Sequence, residues 1–489
     1  ASATPLRLVG SEMCIRDSIN TCPTGALSNK KIEKSVSKPE TKTKTICPYC
    51  GVGGGIEWIS NGEKILGSTP DFDAPSLGSL CVKGQFASWD FVNSKERLTD
   101  PLLKNNKGEF EKVSWEKAYE VFSQKLNNSI DNHGPDSTVW WASARVVTEA
   151  NYLLQKFART VVGTNNIDNC SRTWHAPTVA GMAVMVGRGA MTNSIEELAG
   201  SKLLLVTGSN TTETHPVISL RMKKAVKNGA KLIVVDPRKI ELTKWADKYI
   251  QIRIGTDIPF YNAVANYIIQ NDLYDKDYVA TRTRNFEEIK DHLTMYTPEY
   301  SAKICGIDPE DIIYTAKEYA KASPKSAICY TVGITEHSCG SYNVQSLANL
   351  AMLCGNFGSE NAGVNPLRGQ NNVQGVSDSG SLPTDFPGYQ KVEAPGMVEK
   401  LEKIWDAELP RKRGMTKITA MDKMNSGDVK FLFVMGENTI VSDPNANHAI
   451  HALNNLDFFV VQDIFMTCLL YTSDAADEGL GVDLGGRRI

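Results

Sequence analysis

Three cysteines near the N-terminus carry the most specific chemistry in the chain. Cys47-Pro-Tyr-Cys50 is followed by Leu80-Cys81-Val-Lys83-Gly84. A Cys-x-x-Cys pair with a later cysteine supplies thiolates to an iron–sulfur cluster or to zinc. Zinc ribbons pair two such knuckles, and the second is absent here. A thioredoxin-like redox pair would follow a strand and open a helix, whereas this pair runs into Gly51-Val-Gly-Gly-Gly55. Those glycines let backbone N–H groups approach cluster sulfurs. Spacing alone favours a cluster and leaves zinc and purely structural cysteines open.

The elements that must position such a centre read as alternating strands and helices. Lys202–Gly208 is a buried strand ending in Gly, Val217–Asn228 a helix, and Lys231–Asp236 a second strand ending in Asp-Pro-Arg. That unit predicts parallel pairing through a right-handed crossover. Tyr249–Ile254 follows as a strand and Phe260–Gln270 as a helix; Ser326–Val332, Lys430–Met435 and Phe458–Gln462 are further strands. Earlier, 115–131 and 150–162 have helical spacing and Ser137–Trp141 is a strand. Strands ending in small or acidic residues mark the edge where open α/β sheets bind nucleotides. At 489 residues the chain suggests about three domains. Lys+Arg of 53 against Asp+Glu of 56 excludes the basic excess of a nucleic-acid binder. No apolar run approaches the ~20 residues of a membrane span. With no basic start followed by an apolar stretch, the reading is cytoplasmic.

The motifs together resemble the formate dehydrogenase type of molybdopterin-dependent oxidoreductase. The resemblance runs through residues 45–99, then Cys170-Ser-Arg-Thr-Trp-His-Ala-Pro-Thr-Val-Ala-Gly181, then Lys231–Ile240. It is strongest at Asn361-Ala-Gly-Val-Asn-Pro-Leu-Arg-Gly-Gln-Asn-Asn-Val-Gln-Gly375, and closes with Met435-Gly-Glu-Asn438 and Val461–Thr467. It implies a multidomain α/β fold with a small N-terminal Fe–S domain, two Rossmann-like α/β domains and a C-terminal β-barrel cap missing from this sequence. Cys22-Pro, within Ile19–Asn29, has the form of the last ligand of a further ferredoxin-type cluster. The domains expected are a ferredoxin-type remnant and linker over 19–42, the Fe–S domain over 43–99, a first cofactor domain over 100–169 with 370–467, and a second over 170–369. Both ends, 1–18 and 468–489, resemble translated sequencing-adapter sequence, and 474–489 carry no helical or strand period.

What the resemblance implies is oxidation of formate to CO2 at molybdenum or tungsten held by two molybdopterin guanine dinucleotides. Electrons would leave through a 4Fe–4S cluster on Cys47, Cys50 and Cys81. They would pass to electron-transfer subunits, ferredoxin, an NAD-linked diaphorase or a hydrogenase. Arg368 would hold the carboxylate, a task suited to the guanidinium fork. His175 would handle the proton at the reacting C–H. Lys83 would be a buried cation between cluster and pterin. The dinucleotide residues implied are Gly208, Ser209, Asn210, Glu213, His215, Asp236, Arg238, Gly255, Thr256, Asp257 and Gly333. Gly369, Gln370, Gly436, Glu437, Asn438, Gln462 and Asp463 complete them. Carboxylates there accept from guanine N–H groups, and glycines admit pyrophosphate. A nitrate reductase-like enzyme is the nearer rival; a non-catalytic electron-transfer scaffold, like the large cluster-bearing subunit of NADH dehydrogenases, is the other.

Two positions depart from that pattern. Gly54 stands where a further cluster cysteine is expected, leaving three thiolates for a cluster that wants four. Trp174 stands where the family's cysteine or selenocysteine metal ligand belongs, and indole offers neither sulfur nor selenium. Selenocysteine is encoded by UGA, a codon some translations render as Trp. The gene is therefore expected to carry UGA at codon 174; sequencing that returns UGG would end this explanation and imply a damaged or non-catalytic protein.

Overall fold

Short apolar runs ending in Gly or Asp form the parallel strands of two separate sheets. The structure is a computed structural model describing residues 41–471 and 480–482. The ferredoxin-type remnant with Cys22, and the first eighteen residues, lie outside the described residues. Two units emerge: one of residues up to 49, 53–173 and 370 onward, the other of 50–52 and 174–369.

The strands in chain order begin with β1 (Thr41–Ile46), β2 (Gly55–Ser60) and β3 (Ile65–Pro70). Next come β4 (Leu102–Lys104), β5 (Phe110–Lys112), β6 (Thr138–Ala142) and β7 (Ile167–Asn169). The second unit holds β8 (Leu203–Thr207), β9 (Lys231–Val235), β10 (Lys248–Ile250), β11 (Ser326–Tyr330) and β12 (Gly363–Pro366). The chain then returns to the first unit with β13 (Asp385–Phe386), β14 (Gln390–Lys391), β15 (Phe431–Met435), β16 (Phe458–Gln462) and β17 (Leu480–Val482).

In the second unit the sheet order is β10-β9-β8-β11-β12, every pair parallel, as the strand–helix–strand pattern predicts. Its central strands are apolar throughout because both faces are covered. Leu204 and Val206 pack with Ile218, Met222 and Ala225 of the helix Pro216–Lys227. Leu203 and Leu205 point the other way, into a cluster with Phe260, Val264 and Ile268 of the helix Asp257–Gln270. In the first unit β1-β2-β3 form an antiparallel meander, and a larger sheet runs β5-β4-β17-β16-β15-β6-β7. There Trp140 stacks on Phe433 with ring centroids 5.4 Å apart, while Trp141 joins the core on the opposite face.

Each large sheet has a point where the strand order reverses, which is where such folds open a ligand crevice. In the second unit it lies between β8 and β11, and in the first between β15 and β6. A left-handed glycine follows a strand at both: Gly208 (φ 53°) after β8 and Gly436 (φ 65°) after β15. No helix among the described residues is long and apolar enough to cross a membrane.

Three expectations are corrected. The strand expected over Tyr249–Ile254 stops at Ile250, because the chain then turns toward the helix Asp257–Gln270. The helix expected over 150–162 is α-helical only over Thr148–Phe157 and continues as a wider π-type turn, Ala158–Val162. That turn carries the fully buried Arg159, which donates to Asn165, Gln155 and the carbonyls of Gly380, Leu382 and Asp385. Lastly, 474–489 is not without regular structure: Leu480–Val482 pairs parallel with β16 and antiparallel with β4, filling strand edges that would otherwise lack partners.

The crevice of the second unit predicts its own sensitivity. A Cβ at Gly333 would lie 2.7 Å from Gly208 Cα, backbone against backbone, whereas one at Gly369 would meet nothing within 4 Å. Gly333→Ala should destabilise the chain by about 1–3 kcal/mol. Gly369→Ala should stay within about 0.5 kcal/mol of the parent. Denaturant midpoints of the two variants compare them directly.

Candidate active site

In the second unit the chain enters the helix Ala176–Val186 through Trp174 and His175, with Pro177 in its first turn, a position that favours helix initiation. His175 is buried at 2 % exposure. Its Nδ1 lies 3.2 Å from Thr178 Oγ1, while Nε2 is buried without a hydrogen-bond partner. The indole N–H of Trp174 is likewise buried and unpartnered, although a buried Trp N–H usually finds an acceptor. The Trp174 carbonyl accepts from Thr335 Oγ1 at 2.6 Å.

Arg368 comes to the same place from the segment after β12. His215 fixes its backbone: Nε2 meets the Arg368 carbonyl at 2.7 Å, and Nδ1 meets Thr214 Oγ1 at 2.9 Å. Both ring nitrogens of His215 are thus engaged within the protein, so it holds Arg368 in place of offering a free group to a dinucleotide. The guanidinium of Arg368 donates to the Gly189 carbonyl and forms no ion pair with a carboxylate among the described residues. Burial first, then the charge of Arg368 and the neighbouring His215, push the His175 imidazole down to about 3, so it is neutral near pH 7. A cation without an ion-pair partner among the described residues and a neutral imidazole with a free nitrogen therefore lie within electrostatic reach of one another in a single unit.

The strand ends of the second unit hold the other residues expected there. Asp236 Oδ1 accepts from the Arg238 N–H at 2.8 Å, and burial raises its pKa. Asp257 opens its helix and is pushed up to about 6, chiefly by burial. Thr207 Oγ1, Asn210 Oδ1 and Tyr249 Oη are buried without partners. Ser209 bonds Thr211, and Thr256 caps back onto the Arg253 carbonyl. Glu213, Arg238, Gly255, Gly333 and Gly369 are exposed. His337, 3.0 Å from the Gly333 carbonyl, faces Asp257 and carries no motif that would single it out in the sequence.

The first unit gathers its own set at the ends of β15 and β16. Gly436 N–H donates to the Gln462 carbonyl, and Ser143 Oγ donates to the Gly436 carbonyl. Glu437 is buried against Lys417, which also meets Asp443 at 2.7 Å. Lys417, only 1 % exposed, escapes sequence reasoning because nothing local marks a lysine as buried. Glu437 Oε2 remains unpartnered. Asn438 reaches Cys468, Gln370 accepts from Cys170, and Asp463 accepts from the Ile464 N–H.

Cys47 is buried in the small meander domain, its N–H donating to the Gly54 carbonyl at 2.8 Å. Cys81 caps the short helix Val82–Phe86, and none of the three cysteines is in a disulfide. Cys50 belongs with the second unit, where Gly51 N–H donates to the Gly369 carbonyl at 3.0 Å. Lys83, expected as a buried cation, is exposed: its helix is a single turn, and its ammonium lies over the Tyr49 ring at 5.8 Å. Among the described residues no three His, Cys, Asp or Glu side chains gather to hold a single metal ion.

Comparison with known proteins gives this arrangement its family. Residues 97–475 match the molybdopterin oxidoreductase family and residues 40–94 the molybdopterin oxidoreductase Fe4S4 domain. The chain belongs to the molybdopterin oxidoreductases, whose prosthetic groups are a molybdopterin cofactor and a 4Fe–4S cluster. Among its relatives, an F420-dependent formate dehydrogenase alpha subunit of Methanocaldococcus jannaschii is 47% identical, over 86% of this chain and 61% of the relative. Formate dehydrogenase H of Escherichia coli is 40% identical, over 89% and 61%. The chain thus spans about three fifths of the length of these relatives. The acetylene hydratase of Pelobacter acetylenicus shares the fold, with a TM-score of 0.68 at 22% identity, over 90% of this chain and 62% of that one.

The residues present fit these groups unevenly. The unpartnered buried oxygens and the glycine crevice suit a dinucleotide rich in donors. Trp174 does not suit a metal ligand, because indole offers neither sulfur nor selenium. At Gly54 a Cβ would lie 3.9 Å from Cys47 Cβ and 3.2 Å from Leu80 Cδ2, and glycine supplies no thiolate there.

Asp257 allows a test of the crevice without any cofactor. Its folded pKa lies above its ordinary 3.8, so the folded chain binds the proton more tightly between about pH 4 and 6. Stability is therefore greatest below that window and falls as pH rises through it. Asp257→Asn should stabilise the chain at pH 7.5, by at most about 3 kcal/mol, with the difference closing near pH 4. Denaturant unfolding at the two pH values measures it.

Proposed function

We propose that the chain is the greater part of the catalytic subunit of a formate dehydrogenase, oxidising formate to CO2. The observation that carries this reading is Arg368: a cation without a carboxylate partner among the described residues, within electrostatic reach of His175, whose Nε2 is buried and unpartnered. A guanidinium with free donors beside a neutral imidazole is a receptor for a small carboxylate bearing a reactive C–H. The formate dehydrogenases among its relatives support the choice of substrate.

When bound, molybdenum or tungsten on two pterin guanine dinucleotides supplies the two-electron acceptor. The protein's part is positioning. Arg368 neutralises and orients the carboxylate, with His215 and Gly189 holding the arginine itself. His175 holds a proton at Nε2 beside the reacting carbon. Gly208, Asn210, Asp236 and Asp257 bind a dinucleotide in the crevice of the second unit, and Gly436, Glu437 and Asp463 do so in the first. The two electrons leave to an acceptor partner, NAD-linked, ferredoxin-like or hydrogenase-linked, through a cluster whose ligands include Cys47, Cys50 and Cys81. At position 174 the functional residue is cysteine or selenocysteine. Trp174 and Gly54 favour one second reading, a scaffold that carries electrons without a metal centre; metal-free full-length protein would support it.

Arg368→Lys in the full-length enzyme tests the receptor, since an ammonium keeps the charge and loses the fork. The KM for formate should rise about 10- to 100-fold, the loss of one charged bidentate contact. An unchanged KM would place the carboxylate elsewhere.

A further inference from the structure

The free nitrogen of His175 carries or lacks a hydrogen according to what its other nitrogen does, and three buried residues settle that. Thr178 lies one helical turn after His175, its N–H donating to the His175 carbonyl at 3.0 Å. This brings its hydroxyl to 3.2 Å from Nδ1. Tyr330, at the end of β11, places its hydroxyl 3.2 Å from the same Thr178 oxygen and 3.7 Å from Met182 Sδ. Thr178 and Tyr330 are both fully buried, so water does not compete.

Two proton arrangements satisfy these hydroxyls, running in opposite directions along the chain, and acceptor strength selects between them. The Tyr330 hydroxyl has one hydrogen and two acceptors in reach, of which a thioether is the weaker, so it donates to Thr178 Oγ1. With that lone pair used, the Thr178 hydrogen has one remaining acceptor among the described residues, His175 Nδ1. Nδ1 accepts, and the single ring hydrogen sits on Nε2. Burial raises the Tyr330 phenol, which keeps its proton and closes the far end of the chain.

We propose that Thr178 and Tyr330 are positioning residues that fix His175 in the Nε2–H tautomer, so that the imidazole meets an anionic substrate as a hydrogen-bond donor. This deepens the formate dehydrogenase reading and rests on it for the identity of the substrate. The wiring itself concerns only side chains of this chain. It also restricts the chemistry: Nε2 already bears the ring hydrogen and can accept a proton only after that hydrogen has left and Nδ1 carries one, which requires the Thr178 hydroxyl to reverse.

Long-range proton–nitrogen correlation of the 489-residue chain labelled at its seven histidines reads the tautomer without cofactor or turnover. His175→Gln identifies the signal by its loss. The expected parent spectrum has a pyridine-type Nδ1 and a pyrrole-type Nε2 at His175. Thr178→Val should abolish that pattern and give the other tautomer or a mixture, Thr178→Ser should restore it, and Tyr330→Phe should weaken it. A pyrrole-type Nδ1 in the parent, or a parent-like pattern in Thr178→Val, would overturn the proposal. If Thr178→Val does not fold, an unaltered pattern in Tyr330→Phe together with an altered one in Thr178→Ser would overturn it equally. An intact tautomer in a protein that fails to turn over formate would count against the substrate and leave the wiring standing.

Discussion

Removing a guanidinium from water costs free energy unless another charge or a set of dipoles replaces the solvent. Arg368 is half-buried with neutral neighbours: the Gly189 carbonyl at one amine, His215 beneath its backbone, and an uncharged His175 beside it. Two other half-buried arginines have a carboxylate: Arg172 grips Asp168, and Arg221 meets Glu196. Arg368 is held away from that solution, and its surroundings leave a place for negative charge unfilled. Burial first, and then the same cation, keep His175 neutral, and a neutral imidazole is the form whose tautomer Thr178 can dictate.

The scaffold makes that arrangement possible by placing it at the reversal point of a parallel sheet. The chain leaves β8 for a helix on one face of the sheet and β11 for a helix on the other, so side chains from segments far apart in sequence meet at the reversal point. Gly208 and Gly333 let the two loops touch backbone to backbone. The first unit repeats the device with Gly436 after β15 and Ser143 after β6. Two sheets of the same logic, each with acidic residues at its strand ends, suit a pair of similar dinucleotides.

Much of this is legible in the sequence where the signal is local. Apolar runs such as Leu203–Val206 bounded by Gly, and Lys231–Val235 bounded by Asp-Pro, define strands whatever surrounds them. Arg368 and His175 are visible only through their motifs. What stays hidden depends on contacts across long separations: Tyr330 is 152 residues from Thr178, and His215 is 153 from Arg368. Lys417, Arg159 and the exposure of Lys83 belong to the same class, because burial of a charged side chain is decided by tertiary packing. Thr178 is the partial exception, since its place three residues after His175 puts it on the same helical face. Trp174 and Gly54 are foreign to their motifs by residue type alone.

Formate-dependent reduction of a viologen dye by the full-length gene product, with molybdenum and tungsten measured on the same sample, addresses the central claim most directly. The account predicts metal-bearing protein that reduces the dye with formate and is inert toward nitrate. Metal-bearing protein that turns over nitrate and leaves formate untouched would contradict it.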